Sequence, residues 1–188
     1  MIWETIVTTR SSAGQLHVAP MGIRESEEGR IVLAPFRPST TLKNILATRV
    51  AAVNFTDDVR VFAGCFTGRR DWPTRPCERI ECAWLDSALA HRELTLARVE
   101  EDPERPRLHC EIVLAATHRP FRGFNRAQAA VIEAAILVSR LHMLPRQKVE
   151  SEMAYLAIAV EKTAGPHERE AWSWLTERVA AAYDAVPR

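Results

Sequence analysis

The segment Arg37-Pro-Ser-Thr-Thr-Leu-Lys-Asn44 gathers six side chains that can donate hydrogen bonds at a point where a strand-like run gives way to a helix-like one. A helix start leaves backbone N–H groups without intrahelical partners and carries a partial positive charge. Ser39 is of the residue type that caps such a start. Arg37, Thr40, Thr41, Lys43 and Asn44 surround it, with Asn44 one turn on from Thr40 and on a similar face. These are the parts of a phosphate site built without a glycine-rich loop. They are equally the parts of an ordinary capped helix with exposed charges, and both readings stand on the residues alone.

Three other stretches carry polar chemistry. In Ala19-Pro-Met-Gly-Ile23, Pro20 and Gly22 are expected to interrupt strand pairing around Met21, leaving backbone groups free and letting a flat group approach at Gly22; a plain β-bulge is the alternative. Asn54 lies between apolar neighbours, so an inward side chain would need a partner. His118, Arg119, Arg122, Asn125 and Arg126 cluster around Gly123 and suit an anionic substrate, with Asn125 also able to cap the helix that follows. His118 can donate a proton or be a surface group. Arg126, Glu133 and Arg140 recur at sevenfold spacing, which predicts one stripe: a structural ion-pair ladder or a further anion contact.

Other chemistries lack support. The four cysteines, Cys65, Cys77, Cys82 and Cys110, form no C-x-x-C pair, so buried reduced thiols are expected and no metal site. The remaining histidines, 17, 91, 109, 142 and 167, do not cluster in sequence. No nucleophile-elbow, zincin or paired-carboxylate motif appears. The tryptophans at 72, 84, 172 and 174 suit core and interface packing, with stacking on a cofactor as the alternative.

The elements that must position these groups follow from periodicity. Alternating, β-branched runs predict strands at 3–10, 15–26, 30–36 and 50–55, and period-two segments recur within 77–89, 91–102 and 107–118. Short helices are expected over 40–49 and 56–66, with 68–76 a loop. After Pro120 the pattern becomes helical: 125–144, ended by Pro145; 147–165, ended by Gly165; and a third helix from Pro166 with Trp172, Leu175, Val179, Ala182 and Val186 as its apolar stripe. The expected class is mainly β with α, a small antiparallel barrel over 1–118 and a helical subdomain over 119–188 packed on it. No parallel βαβ pattern supports a dinucleotide fold.

With 188 residues, 47% apolar content and a net charge of +1, the chain can bury a core and has no global field to recruit nucleic acid. No apolar run is long enough to span a bilayer, and the N-terminus lacks a basic, apolar leader pattern, so a cytoplasmic protein without a membrane partner is expected.

The order APMGI, PFRPSTTLKNI, VNFTDD, followed by RPFRGFNRAQAAVIEAAILVSRL over 119–141, resembles the DUF447 family of flavin-binding split-barrel proteins. Its broader relatives are the pyridoxamine-phosphate-oxidase-like and flavin-reductase-like barrels. The resemblance implies a homodimeric split barrel that binds FMN near the subunit interface, with deazaflavin or haem as alternatives. It implies that Arg37, Ser39, Thr40, Thr41 and Asn44 hold the phosphate, that the backbone of Pro20, Met21 and Gly22 lies along the ring edge, and that Asn54 bonds the ring or ribityl chain. It further implies an oxidoreductase acting on a small, anionic or pterin-like molecule, in methanopterin-linked one-carbon metabolism; the alternative is a non-catalytic flavin-binding or assembly protein.

Overall fold

The computed structural model describes residues 1–184. Eight strands and five helices follow in the order β1 (Trp3–Arg10), β2 (Leu16–Glu25), β3 (Ile31–Leu33), α1 (Thr40–Thr48), β4 (Val50–Phe55), α2 (Val59–Phe66), β5 (Thr74–Pro76), β6 (Ala83–Leu85), β7 (Ala90–Glu100), β8 (Arg107–Thr117), α3 (Arg126–Ser139), α4 (Arg146–Thr163) and α5 (Pro166–Asp184). Six strands close an antiparallel barrel in the order β1-β2-β3-β8-β7-β4, and β5 pairs with β6 beside it. The fold is the expected split-barrel type followed by a three-helix segment. The chain forms two compact units: 1–56 with 71–121, and 57–70 with 122–188. One boundary, after 118, is expected from the sequence; the structure also groups the α2 segment with the C-terminal helices.

Tight turns make the barrel's first hairpins. Gly14 and Gly29 adopt φ of 82° and 75°, conformations that a residue with a Cβ rarely takes. The barrel core draws Val7, Ile23, Leu33, Val53, Leu94 and Leu108 from six strands, and Leu42 and Ile45 from α1. Thus α1 closes the barrel with its apolar face. Burying each such side chain contributes about 1.5–3 kcal/mol. Arg49, in the left-handed region at φ 65°, ends α1 and donates its backbone N–H to Ile45 O.

Pairing corrects one expectation at β2. Pro20, Met21 and Gly22 do not break the strand: they face Ile6, Thr5 and Glu4 of β1 in continuous antiparallel register. The opening lies on the other edge. Strand β3 pairs with β2 only from Ile23 to Glu25, so among the described residues no strand runs beside Pro20–Gly22 on that side. The missing partner, and not the proline, exposes this backbone.

The stretch 77–89 is likewise less regular than its alternation suggests. Only Ala83–Leu85 is strand. Residues 77–82 form a tight loop closed by Cys77 N–H to Cys82 O at 3.0 Å.

In the second unit, Asn125 caps α3 by accepting from the N–H groups of Ala127 and Gln128. The helix expected over 125–144 stops at Ser139, where Arg140 N–H folds back to Leu137 O and a turn leads to Pro145. Pro145 sits at the start of α4, where its lack of an N–H costs nothing. Arg126, Glu133 and Arg140 are exposed, and no ion pair links them among the described residues. The predicted ladder is therefore a solvated face. Of the expected α5 stripe, Leu175 is buried and Val186 lies outside the described residues. No described helix is long and apolar enough to cross a membrane.

Candidate functional site

Every residue of the 20–22, 37–44 and 54 groups lies in the first unit. Helix α1 lies against β1 and β2, the strand whose other edge is open at Pro20–Gly22. Ser39 caps α1 as predicted, its Oγ accepting from Leu42 N–H at 3.2 Å. That leaves the helix's N-terminal partial charge at an accessible corner. Thr40 is exposed and Ser39 half-buried. Arg37 reaches Glu101 at 2.7 Å, an exposed pair that an incoming anion can displace. The connection between β7 and β8 also braces this loop: Arg37 N–H donates to Glu104 O at 2.8 Å, and Arg105 covers the Phe36 ring at 4.3 Å.

Burial divides the cluster into two roles. Thr41 is 2% exposed and Asn44 is 3% exposed. Asn44 Nδ2 donates to Thr9 Oγ1 at 3.0 Å, fastening α1 to β1. Within the chain Asn44 holds the corner from behind with Thr41 buried beside it, Ser39 caps the helix, and Arg37, Thr40 and Lys43 are exposed.

Asn54 is fully buried and fully engaged by the protein. Its Nδ2 donates to Ile6 O at 3.0 Å and Thr8 Oγ1 at 3.2 Å, and its Oδ1 accepts from Leu85 N–H at 2.8 Å. The expected ligand contact is thus replaced by a link between β1, β4 and β6. Gly22 also has a local reason: a Cβ there would lie 2.8 Å from Ile2 Cγ2. The Met21 carbonyl accepts from Thr5 Oγ1 at 2.8 Å.

The cluster at 118–126 is divided. His118 and Arg119 belong to the first unit, and Arg122, Asn125 and Arg126 to the second. Asn125 is taken up by its cap and by Nδ2 donating to Thr163 O at 3.0 Å. His118, by contrast, joins a group that sequence reading missed. Its Nε2 lies 2.8 Å from His91 Nδ1, and His91 Nε2 lies 3.3 Å from Glu93 Oε1. Trp84 stacks on both imidazoles. The available signal was the His-x-Glu spacing on β7, which puts both side chains on one strand face.

The electrostatics of this group are coherent. Burial opposes charge on Glu93, but backbone donors at Glu78 and Arg79, with His91, hold its carboxyl below the usual range. Burial, and then the neighbouring His91, Arg119 and Arg75, hold His118 below the ordinary imidazole value.

All four cysteines are free thiols. Burial pushes the Cys65 thiol up to about 11 and the Cys110 thiol up to about 12. Cys82, bonded by the Cys77 thiol, is shifted downward.

Comparison with known proteins agrees with this architecture. The family model described as "Protein of unknown function (DUF447) N-terminal domain" matches residues 3–119, and the companion "Protein of unknown function (DUF447)" matches 125–177. No curated protein matches the sequence. Among solved structures, an FMN-bound protein from Methanosarcina mazei is similar over 94% of both chains, at 20% identity and a TM-score of 0.82. The 2-nitrobenzoate 2-nitroreductase of Pseudomonas fluorescens is similar over 61% of this chain and 64% of its own, at 22% identity and a TM-score of 0.54. Flavoredoxin from Methanosarcina acetivorans is similar over 62% of this chain and 69% of its own, at 14% identity and a TM-score of 0.55. At these identities the likenesses establish the fold, while the two family models together span nearly the whole sequence: the chain belongs to the DUF447 family.

Proposed function

We propose that this protein binds FMN and acts as an oxidoreductase on a small, anionic or pterin-like substrate. The observation that carries the reading is the placement of α1: a capped helix start with outward Arg37, Ser39 and Thr40, set against the strand whose edge is open at Pro20–Gly22. A flavin mononucleotide needs a charged clamp for its phosphate and a largely apolar slot with a few backbone partners for its ring. The corner fits the first need and the β2 edge the second. Arg37, Ser39 and Thr40 would hold the phosphate; Thr41, Asn44 and Asn54 would keep the wall behind it rigid. When bound, the flavin would supply the electron transfer. The FMN-bound relative of the same family, and flavin oxidoreductases among the fold's other relatives, support this reading.

Exposed Ile2, Trp3 and Phe36 on the same unit favour a second copy of the chain as a partner, completing the slot from outside. A passive flavin carrier is the second reading, favoured by the pairing of Glu101, the carboxylate beside the α1 corner, with Arg37. Stopped-flow reduction of the FMN-loaded protein by NADH or NADPH separates the two. Rapid bleaching of the flavin followed by reoxidation with an organic acceptor supports the enzyme; a flavin that binds tightly but exchanges electrons no faster than free FMN supports the carrier. Light scattering on the eluting protein reads the oligomeric state.

A further inference from the structure

Away from the α1 corner, the barrel unit holds a hydrogen-bonded line of three side chains. Glu93 is fully buried, and its two carboxylate oxygens accept the backbone N–H groups of Glu78 and Arg79, each at 2.7 Å. His91, 3% exposed, lies between Glu93 and His118, at 3.3 and 2.8 Å. The two imidazoles are within 11° of parallel. Trp84 covers both, with centroids 4.8 Å from His91 and 3.9 Å from His118. His118 is exposed, and its own N–H and that of Arg119 are pinned to Leu89 O at 2.7 and 3.1 Å.

With Glu93 ionised and His91 uncharged, these distances fix where the protons sit. An ionised carboxylate only accepts, so His91 Nε2 carries a proton. Neutral His91 then offers Nδ1 as an acceptor, and His118 Nε2 must be the donor. His118 Nδ1 is left with its lone pair at the exposed end of the line. The indole packs flat against both rings.

We propose that Glu93, His91 and His118 form a proton relay whose outer terminus, His118 Nδ1, takes a proton from, and returns it to, a small weak O–H acid bound beyond the end of β8. In the forward step the O–H bond of the acid breaks, its electron pair stays on oxygen, and an N–H bond forms at His118 Nδ1. The Nε2 proton of His118 can then pass to His91 Nδ1, which brings the positive charge next to the Glu93 carboxylate. Arg75 and Arg119 face the same end. Arg75 pairs with Asp86, and Arg119 donates to Asp86 O at 2.8 Å, so Asp86 ties both guanidinium groups to one place. His118 is the group that would touch the ligand; His91 and Glu93 are positioning residues. The site neither requires nor presupposes a flavin.

Two measurements on the full chain test this. The first is a nitrogen-15 imidazole NMR titration of the wild type, Glu93→Gln and His91→Gln, the last leaving the Glu93 contacts to Glu78 and Arg79 in place. The relay requires neutral His118 as the Nε2–H tautomer, with its titration midpoint lowered by about one unit or more in Glu93→Gln. An Nδ1–H tautomer in the wild type, or a midpoint unchanged in both variants, overturns it. The second measurement is the visible absorbance of 4-nitrophenol at a pH below its own midpoint. Excess wild-type protein should raise the phenolate fraction by holding the anion beside protonated His118, and His118→Ala, whose substitution is at an exposed position, should abolish the rise. Equal spectra with the two proteins overturn the proposal. Because neither readout involves FMN, failure here leaves the flavin reading standing, and the converse also holds.

Discussion

Asn44 donates its side-chain amide to Thr9 Oγ1 at 3.0 Å, and both residues are buried, so the donor-rich corner is bolted to the barrel from behind. Replacing Asn44 with Ala leaves the Thr9 hydroxyl without this donor and opens a small void. The expected cost is about 1–3 kcal/mol. Urea unfolding should show a lower midpoint with an unchanged slope, and FMN affinity should fall because the helix start is less well placed. A variant with wild-type stability would mean that α1 is held by its apolar face alone.

Asn54 makes a second such link, and a costlier one. Asn54→Ala would leave Leu85 N–H without its acceptor inside the barrel and remove the amide's donation to Ile6 O. The expected loss is about 3 kcal/mol, read by thermal or urea unfolding. FMN binding by the fraction that remains folded should be little changed, since the side chain is spent on the protein. A large affinity loss without destabilisation would restore Asn54 as a ligand contact.

Acid should loosen the Glu93–His91–His118 region before the rest of the barrel. The folded-state pKa of Glu93 is depressed, so its stabilising contribution is fully present above the unfolded carboxylate range and is lost as pH falls toward the folded value. His118 is also depressed: below the ordinary imidazole range the unfolded chain binds a proton more readily than the folded one, and stability falls with pH there too. Both slopes have the same sign. Stability should therefore decline in two stages, first below about pH 6.5 and again below about pH 4.5. In Glu93→Gln the lower stage should shrink in a urea-midpoint series against pH.

The thiols should be unreactive for different reasons. Cys65 and Cys110, pushed up to about 11 and 12, hold almost no thiolate near neutral pH. Cys82 is shifted downward but is 4% exposed. Iodoacetamide at pH 8 should label the folded protein slowly, with all four sites becoming reactive in urea, as followed by intact mass. Fast labelling at Cys110 would contradict its placement in the core.

The sequence made the barrel legible because β-branched alternation and glycine turns act locally, as at Thr5–Thr9 and Gly29. It made Ser39 legible because a cap is a local feature. It could not show that Asn54 is satisfied by Leu85, 31 residues away, or that Thr41 faces the core and Thr40 solvent. The His91–His118 contact spans 27 residues and arises from β7–β8 register, whose bulges near Glu93 and Leu96 have no local signature. The charged stripe Arg126, Glu133 and Arg140 misled for the opposite reason: regular spacing shows a shared face, and burial of that face is a tertiary matter.

The central claim is that the exposed start of α1 grips a flavin's phosphate. Its most direct test is a fluorescence-quenching titration of FMN and of riboflavin, which lacks the phosphate, against the wild type, Arg37→Ala and Thr40→Val. Both substitutions are at exposed positions, so melting temperatures should stay close to the wild type. The account predicts that FMN binds, that riboflavin binds more weakly, and that each substitution weakens FMN by about tenfold, one charge-assisted hydrogen bond's worth, while leaving riboflavin unaffected. Equal affinity for FMN and riboflavin, or FMN binding unmoved by both substitutions, would contradict it.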